Sequence, residues 1–335
     1  MIYLRRYSSP NIFPSKPFRF HALSPSGEER GYVEVVEIEG CFLKILHTVV
    51  APPFRGQGVG WELLCKSVDY TRSKEMKLLS ACDYAAKLIS RDPLASDLAA
   101  TAQDIHHYLD PKKRPAVDKP FVERVLGIKP GSYASDDLVL PLSMPDLRCQ
   151  EQVLGPFSQP LLNELISHPI HDLRMLAVIA LKEQFVRSKA MADKERLHDY
   201  YVQHLRGINN WDLVDLSAPH LIGSYAYLKG MGYEEIYSMA LSSDLWIKRI
   251  GIVSTLGLIR QGILDPTLRV VEANLSHQHH LIHKAMGWML REVGKRDESR
   301  MLNFLELTVA KMPRTTLRYA IERLDTDTRR SLLAL

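Results

Sequence analysis

Cysteine is scarce in this chain and forms no metal-binding or disulfide pattern. The four cysteines, Cys41, Cys65, Cys82 and Cys149, include no CxxC pair. A structural zinc site and a disulfide framework are therefore both poorly supported, and a reducing cytoplasm fits best. Long apolar runs are missing as well. None reaches the roughly 18 residues that a membrane-spanning helix needs, and the N-terminus lacks the apolar core of a secretory signal. We expect a cytoplasmic protein with no membrane partner.

Net charge is also small. The 335 residues carry a formal charge of +4, with 46% apolar and 24% charged side chains. This composition excludes disordered and fibrous classes, and the length allows two globular domains. Residues 1–96 contain 13 basic and 10 acidic side chains, which leaves residues 97–335 nearly neutral. A nucleic-acid surface in that second part would need its cations gathered on one face, because phosphate affinity depends on local charge.

The first part of the chain has a strand pattern that leads into a glycine-rich loop. Residues 32–38 and 41–50 are β runs on either side of a short turn, which predicts an antiparallel hairpin. The loop at residues 53–60 then opens a helical segment at 61–70. Such a loop at a helix N-terminus can aim backbone N–H groups at phosphate oxygens. On its own, the loop is also typical of a plain strand-to-helix turn.

Residues 18–93 resemble the small, YjdJ-like branch of the GNAT acetyltransferases. The resemblance lies in HTVV at 47–50, RGQGVG at 55–60 and ACDYAAKLIS at 81–90. It implies an α+β domain over residues 1–96 that binds acetyl-CoA. The residues implied to hold this cofactor are Val50, Arg55, Gly56, Gln57, Gly58, Val59 and Gly60. His47 and Cys82 are implied to be catalytic, although the residue types alone fit a strand-face histidine and a small buried hydrophobe equally well. The acetyl acceptor is unknown.

Helical spacing replaces the strand pattern after a boundary predicted at residues 94–98. Trp211, Arg249 and Trp288 follow one another at intervals of 38 and 39 residues. This is the length of one two-helix HEAT-like repeat. A cation beside an apolar helix stripe recurs near residues 174, 249, 284 and 318. We therefore predict an all-α HEAT-like solenoid over residues 97–335, with a concave face able to hold an extended ligand.

The segment WDLVD at 211–215 carries the most specific chemistry. On a helix, Trp211 and Asp215 share one face. Indole faces attract positive charge, a carboxylate offsets it, and a guanidinium such as Arg249 grips phosphate. An N3- or N7-alkylated purine in duplex DNA suits this set, because its base carries a positive charge and leaves as a neutral molecule. The sugar then becomes oxocarbenium-like, which a carboxylate stabilises. No lysine in the motif offers a Schiff base, so a monofunctional DNA glycosylase is predicted.

Residues 109–324 resemble the AlkD-type DNA alkylation repair glycosylases. The matching segments are 131–136, 145–148, 211–215, 246–249 and 284–292. The resemblance implies that Asp215 is the catalytic carboxylate and that Trp211 and Trp288 contact the sugar. The implied DNA-binding residues are Arg249, Lys284 and Arg148, with Arg249 on a backbone phosphate. The implied partner is double-stranded DNA with alkylated bases, and no cofactor is implied for this domain. The HQHH segment at 277–280 is interpreted as a polar turn between helices rather than a metal site.

Two alternative functions stay open. In the first, the helical domain is a non-catalytic scaffold for DNA or protein, and acetyl transfer is the sole activity. In the second, the N-terminal domain is a CoA-binding remnant. Helical tryptophans are often core residues and helical aspartates often caps, so composition alone does not separate these alternatives from a glycosylase.

Overall fold

The computed structural model of the chain describes residues 4–6, 15–109, 117–230 and 232–334. The chain divides into two compact units. The first comprises Met1–Glu123 and Asp137–Ala180, and the second comprises Arg124–Asp136 and Leu181–Leu335. The first unit thus carries helices beyond the 1–96 segment, and the division of the chain at residue 96 stays a prediction. No helix in the described ranges is long and apolar enough to cross a membrane.

The first unit contains a five-stranded sheet whose strand order follows the chain. The strands are β1 (Leu4–Arg6), β2 (Phe18–Leu23), β3 (Glu29–Ile38), β4 (Phe42–Val50) and β5 (Lys77–Ser80). Strands β1 to β4 pair antiparallel, and β5 pairs with β4 in parallel. The predicted hairpin is confirmed as β3 and β4, and the Cys41 N–H closes its turn by donating to the Ile38 carbonyl at 2.9 Å.

One face of this sheet is covered by helix α1 (Val59–Ser73). The helix connects β4 to β5, because two parallel strands need a crossover between them. Val35, Leu43 and Ile45 point to the same face and pack with Leu63 of the helix in one apolar core. Alternation of side chains along the strands sends the residues between them to the opposite face.

Helices later in the chain cover part of that opposite face of the sheet. The helices that follow α1 are α2 (Asp83–Ile89), α3 (Pro93–Ser96), α4 (Ala102–Tyr108), α5 (Lys119–Leu126), α6 (Met144–Leu154), α7 (Gln159–Ile166) and α8 (His171–Arg187). Tyr108 lies edge-on to Phe42, with ring centroids 5.4 Å apart. Lys44 Nζ donates to the Val153 carbonyl at 2.7 Å and also to the Gly155 carbonyl. Burial lowers the pKa of Lys44 to about 8.

The second unit is built from helices. They are α9 (Met191–Gln203), α10 (Trp211–Ala218), α11 (Tyr225–Lys229), α12 (Glu234–Ala240), α13 (Leu245–Ile259), α14 (Asp265–Glu272), α15 (His280–Gly294), α16 (Glu298–Thr308), α17 (Arg314–Ala320) and α18 (Thr326–Ala334). A π-helical turn, Pro219–Ser224, continues α10. Helix α13 packs against both α10 and α15, and α15 packs against α17. Gly257 and Gly287 permit these close approaches, since a side chain at either would collide with the neighbouring backbone. The predicted fold class, an α+β domain followed by an all-α region, is confirmed.

Candidate active site

Trp211 and Asp215 lie one turn apart on α10, as the motif predicts. The helix begins at Trp211 because the Asn210 side chain accepts a hydrogen bond from the Trp211 backbone N–H at 2.8 Å. Asn210 Nδ2 also donates to the Leu126 carbonyl at 3.2 Å. The indole Nε1 of Trp211 donates to the Val125 carbonyl at 3.3 Å. Backbone at the end of α5 therefore fixes both the start of α10 and the indole.

Arg249 of α13 binds Asp215 directly. Its Nη2 lies 2.8 Å from Oδ1 and 2.9 Å from Oδ2, and its Nε lies 3.1 Å from Oδ1. Its Nη1 donates to the Leu281 carbonyl at 2.6 Å, so the guanidinium ties together α10, α13 and α15. The side chain of Arg249 is 5% exposed and that of Asp215 is 21% exposed. The carboxylate is therefore the more accessible partner for a ligand.

The surroundings of Asp215 raise the pKa of its carboxyl. Burial raises the pKa of its carboxyl from the ordinary 3.8 to about 6. The charge and hydrogen bonds of Arg249 oppose that rise, and the nearby carboxylate of Asp212 adds to it. At pH 7 the carboxylate is still mostly ionised. A partly buried acid with a perturbed pKa and a specific charged partner is more typical of a functional site than of simple packing.

Four rings form a cluster beside Arg249, which we call the ring cluster: Tyr133, Trp246, His279 and His280. The Tyr133 ring lies edge-on to Trp246 at 5.6 Å and 6.3 Å from each histidine, measured between centroids. The two imidazoles stack at 4.8 Å. Burial is the main cause that lowers the pKa of both histidines, and the charge of Arg249 contributes to each. Burial also raises the pKa of Tyr133.

Most residues of the ring cluster were not predicted to have a role. Residues 277–280 were predicted to form a turn, and His279 caps α15 by accepting a hydrogen bond from the Leu281 N–H at 3.2 Å. Both His279 and His280 also take part in the cluster, which no local pattern could indicate. A usable signal was the position of Trp246, one helical turn before Arg249. Within the described residues, no group of three or more His, Cys, Asp or Glu side chains could hold a metal ion.

The other predicted DNA-contacting residues have separate surroundings. Trp288 lies on α15, two turns after Leu281, and its Nε1 donates to Glu292 Oε1 at 3.2 Å. The indole is partly buried and lines a cleft of about 480 Å³. Lys284 is exposed on α15. Arg148 is exposed on α6, in the first unit.

The glycine-rich loop of the first unit lines a cavity of about 680 Å³. Gly56 and Gly58 have φ angles of 78° and 79°, which glycine adopts without the steric cost that other residues meet. Gly58 is the N-cap of α1, so the first N–H groups of the helix point out of its end. Arg55 Nε donates to the Val50 carbonyl at 3.3 Å, which holds the loop against the end of β4. The lining residues are Thr48, Val49, Val50, Phe54, Arg55, Gly56, Gly58, Val59, Gly60 and Tyr84.

This cavity lies where β4 and β5 stop pairing. Their parallel register covers only Phe42–Ile45 opposite Lys77–Ser80, and a bulge in the β3–β4 ladder redirects the rest of β4. The Tyr84 ring lies against Gly60, where any side chain would collide with it. A crevice beyond the carboxyl ends of parallel strands, beside a helix N-terminus, is suited to a phosphate-bearing cofactor. The loop and cavity therefore fit a cofactor with a phosphate or pyrophosphate group.

The two residues predicted to be catalytic in this unit, His47 and Cys82, lie close in sequence to cavity-lining residues. His47 is exposed on β4, opposite Glu34 on β3. Cys82 is the N-cap of α2 and packs, partly buried, against the core of the sheet. Of the residues that the structure describes, the lining includes Thr48 and Tyr84 but neither His47 nor Cys82.

Comparison with known proteins gives two family matches. A model of the DNA alkylation repair enzymes matches residues 135–324, and a model of the GCN5-related N-acetyltransferases matches residues 19–98. No curated protein matches the chain. A solved structure of a predicted DNA alkylation repair enzyme from Enterococcus faecalis is 15% identical, with a TM-score of 0.47. The match covers 63% of this chain and 98% of that one.

The N-terminal match covers strands β3 to β5, most of β2 and the cavity, so this part of the chain is a GNAT-like domain, a type that uses acetyl-CoA. The C-terminal match spans more than half of the 335 residues and contains Trp211, Asp215, Arg249 and Trp288. The chain belongs to the DNA alkylation repair enzyme family.

Proposed function

We propose that the helical part of the chain is a monofunctional DNA glycosylase that excises positively charged N3- and N7-alkylated purines from duplex DNA in base excision repair. One observation carries this proposal. Asp215 is a partly accessible carboxylate, held by Arg249 and one turn from Trp211, inside the region that matches the DNA alkylation repair enzymes.

The chemistry needs little beyond a well-placed negative charge. An N-alkylated purine already carries a positive charge, so its base leaves as a neutral molecule without a strong general acid. Positive charge then develops on the deoxyribose, and a fixed carboxylate close to it lowers the energy of that state. Asp215 can do this at neutral pH because its pKa of about 6 leaves it ionised. The same carboxylate can orient the attacking water.

Arg249 would act mainly on the position of Asp215. Three of its contacts go to the carboxylate oxygens, and a guanidinium fork holds a carboxylate in one orientation. If Arg249 also contacts a phosphate, as predicted, its Nη1 would make that contact. In the structure Nη1 donates one hydrogen bond to the Leu281 carbonyl. We propose that Lys284 and Arg148, both exposed, add DNA contacts.

The indoles would contact the sugar. A tryptophan ring attracts positive charge through its face, so Trp211, one turn from Asp215, can stabilise the oxocarbenium-like deoxyribose together with the carboxylate. The hydrogen bond from Nε1 to Val125 keeps that ring in one orientation. Trp288 is the second proposed sugar contact.

Release of free base tests the glycosylase proposal. Purified protein incubated with methylated duplex DNA should liberate 7-methylguanine and leave abasic sites, with unmethylated duplex as the control. Chromatography of the released bases detects the product. Protein that binds the duplex but releases no base would favour the alternative in which the helical domain is a scaffold.

We further propose that the GNAT-like domain binds acetyl-CoA through Val50 and residues 55–60. The observation that favours this second function is the cavity at the N-terminus of α1, lined by this loop. When bound, acetyl-CoA supplies a thioester whose acetyl group can pass to an amine. The loop N–H groups and Arg55 would hold the pyrophosphate. His47 and Cys82 stay the proposed catalytic residues, and the acceptor is unknown.

Calorimetry with acetyl-CoA tests this second proposal, with free CoA as the matched ligand. Binding of both at similar affinity, together with acetyl transfer to an amine, would support an active transferase. Binding without any transfer would favour the remnant interpretation, in which the domain keeps the loop and has lost the reaction.

A further inference from the structure

Glu34 lies in the middle of three polar side chains that cross the sheet, which we call the polar row: Arg19, Glu34 and His47. On β2, Arg19 is directly opposite Glu34 of β3, and on β4 His47 is directly opposite Glu34 from the other side. Residues directly opposite one another in antiparallel strands project to the same face, with Cβ atoms roughly 5 Å apart. The carboxylate of Glu34 therefore has a guanidinium on one side and an imidazole on the other.

The polar row lies on the face of the sheet that α1 does not cover. Val33 and Val35, which flank Glu34 on β3, belong to the apolar core beneath α1, so Glu34 points the other way. The helices that cover part of this face contact the opposite end of β4, at Phe42 and Lys44. At the polar row, His47 is exposed and Glu34 is partly buried. A small molecule arriving from solvent can therefore reach the imidazole.

Glu34 is itself held in position. Arg19 Nε donates to Glu34 Oε1 at 2.8 Å. The Arg19 guanidinium also lies over the Tyr32 ring, 4.2 Å from its centroid, so the arginine is fixed from two sides. Within the described ranges, no other donor forms a hydrogen bond with this carboxylate. Its second oxygen, Oε2, is therefore available to the neighbour on the other side, His47.

His47 lies beside the cofactor cavity, although it does not line it. Val49, two residues later on β4 and on the same face, is exposed and lines the cavity. At about 3.4 Å per residue, the step from His47 to Val49 is roughly 7 Å. The cavity therefore reaches the face of the sheet that carries the polar row, close to the imidazole.

We propose that Glu34 is a positioning residue for His47 in the transfer of an acetyl group to a primary amine. Glu34 Oε2 accepts a hydrogen bond from one ring nitrogen of His47. This contact fixes the tautomer, so the other ring nitrogen is unprotonated and has one direction. The inference rests on the proposed acetyltransferase activity and adds a residue that the family resemblance does not supply.

The reaction gives this second nitrogen a defined task. A primary amine is an ammonium ion at neutral pH and is not a nucleophile until it loses a proton. The free nitrogen of His47 takes that proton, and the amine nitrogen then forms a bond to the carbonyl carbon of the thioester. The carbon–sulfur bond breaks, and a further proton from the new amide nitrogen passes to the sulfur, which leaves as a thiol. Glu34 touches none of the reacting atoms, so it acts through the orientation of His47.

The alternative is that Glu34 only forms a cross-strand ion pair with Arg19. Ion pairs near the surface contribute little to stability. In that case the loss of either partner should have the same small effect, and Gln at position 34 should behave like Ala because neither forms an ion pair. If Glu34 positions His47, its loss should cost more than the loss of Arg19. Gln should then restore part of the activity, since its amide oxygen still accepts a hydrogen bond.

Steady-state kinetics of the full chain separate these cases. Acetyl-CoA is used with two primary amines, N-α-acetyllysine and spermidine. Glu34→Ala should lower kcat by about 10- to 100-fold and leave the KM for acetyl-CoA unchanged, because misplacement of a catalytic group costs factors of this size. Glu34→Gln should fall between Glu34→Ala and wild type, and Arg19→Ala should cost less than Glu34→Ala.

Two further variants complete the kinetic comparison. In a His47→Ala background, Glu34→Ala should cause no additional loss of kcat, because the two residues act as one unit. Glu37→Gln is the matched control. It alters a carboxylate on the same strand that accepts from Tyr70 of α1, on the covered face, and it should leave kcat unchanged. Circular dichroism of each variant checks that the fold is intact.

NMR of the His47 ring nitrogens measures the proposed contact without turnover. Wild-type protein above pH 7.5 should show a single tautomer of the neutral ring, whereas Glu34→Ala should show the mixture of tautomers expected for a histidine in solvent. Acetyl-CoA is not needed for this measurement. A mixture of tautomers in the wild type overturns the inference.

The outcomes separate the inference from the proposed transferase. Wild-type kcat in Glu34→Ala, or equal losses in Glu34→Ala and Arg19→Ala, overturns the role of Glu34 and leaves the transferase standing. A wild-type protein that binds acetyl-CoA and acetylates neither amine contradicts the transferase, and the inference falls with it. A single tautomer together with a selective loss of kcat in Glu34→Ala supports both.

Discussion

Replacing Asp215 by Asn separates the charge of this residue from its shape. The amide can still accept hydrogen bonds from Arg249, so the geometry around α10 is kept. The negative charge that would face the developing oxocarbenium ion is removed. Loss of one aligned electrostatic partner typically costs on the order of 100-fold or more in rate. We expect 7-methylguanine excision to fall by at least that factor while affinity for intact duplex is retained.

The same substitution should raise stability at neutral pH. The carboxyl has a pKa of about 6 in the folded protein and an ordinary value of 3.8, a difference that corresponds to about 3 kcal/mol. The folded pKa is the higher one, so the unfolded chain loses its proton first as pH rises. The free energy of unfolding therefore falls as the pH rises from about 4 to about 6, and the whole of this loss is present above pH 6. Asn lacks the titration, so the variant should be more stable than wild type at pH 7 and similar at pH 4.

Two measurements check this prediction together. Thermal unfolding followed by circular dichroism from pH 4 to pH 8 should show a widening gap in Tm in favour of the variant. Single-turnover excision from an end-labelled duplex should show wild-type activity that declines below about pH 6, as Asp215 becomes protonated, and variant activity that is low throughout. A folded Asp215→Asn protein with wild-type excision would refute the assigned role of the carboxylate.

Three further predictions concern single residues. Arg249→Ala should raise the pKa of Asp215 further, so the loss of excision at acid pH should begin at a higher pH than in the wild type. If Arg249 only contacted phosphate, its removal would change DNA affinity and the salt slope but not this pH dependence. pH–rate profiles and salt titrations of binding distinguish the two results. Gly58→Glu should abolish acetyl-CoA binding in calorimetry and spare base excision, because the N-cap has a φ of 79° and the new carboxylate would repel the pyrophosphate; unchanged CoA affinity would contradict the assignment of the loop. Trp211→Phe should lower the excision rate less than Trp211→Ala, since phenylalanine keeps an aromatic face and loses the hydrogen bond to Val125. A cation–π contact is worth about 0.5–2 kcal/mol. Equal losses of the single-turnover rate in the two variants would argue against an electrostatic role for the ring.

Much of the fold could be predicted because its signals are local. The hairpin of β3 and β4, the start of α1 at a glycine N-cap and the shared helix of Trp211 and Asp215 all follow from patterns within about twenty residues. The 38-residue and 39-residue steps indicated a helical region, and the HEAT-like repeat that they predict stays a prediction. Each of these depends on backbone preferences or on side-chain spacing, which a single sequence contains.

The parts that were missed depend on contacts between distant segments. In the ring cluster, Tyr133 contacts residues more than a hundred positions later in the chain, and the sequence around Tyr133 does not indicate these contacts. The partnership of Arg249 with Asp215 was also not predicted, since both residues appeared only as members of a motif set. Their electrostatic balance, and the raised pKa of Asp215, are products of tertiary burial.

Lys44 has a consequence for the order in which the chain can fold during synthesis. The carbonyl groups that bind its ammonium belong to Val153 and Gly155, more than a hundred residues downstream of β4. While the ribosome has released only the sheet and α1, this lysine and its neighbour Phe42 still lack the groups that bury them in the finished unit. Domains usually fold one after another from the N-terminus as they emerge. The buried surroundings of Lys44 are therefore completed only after the segment of α6 has been synthesised, which ties this strand of the sheet to residues inside the region that matches the DNA alkylation repair enzymes.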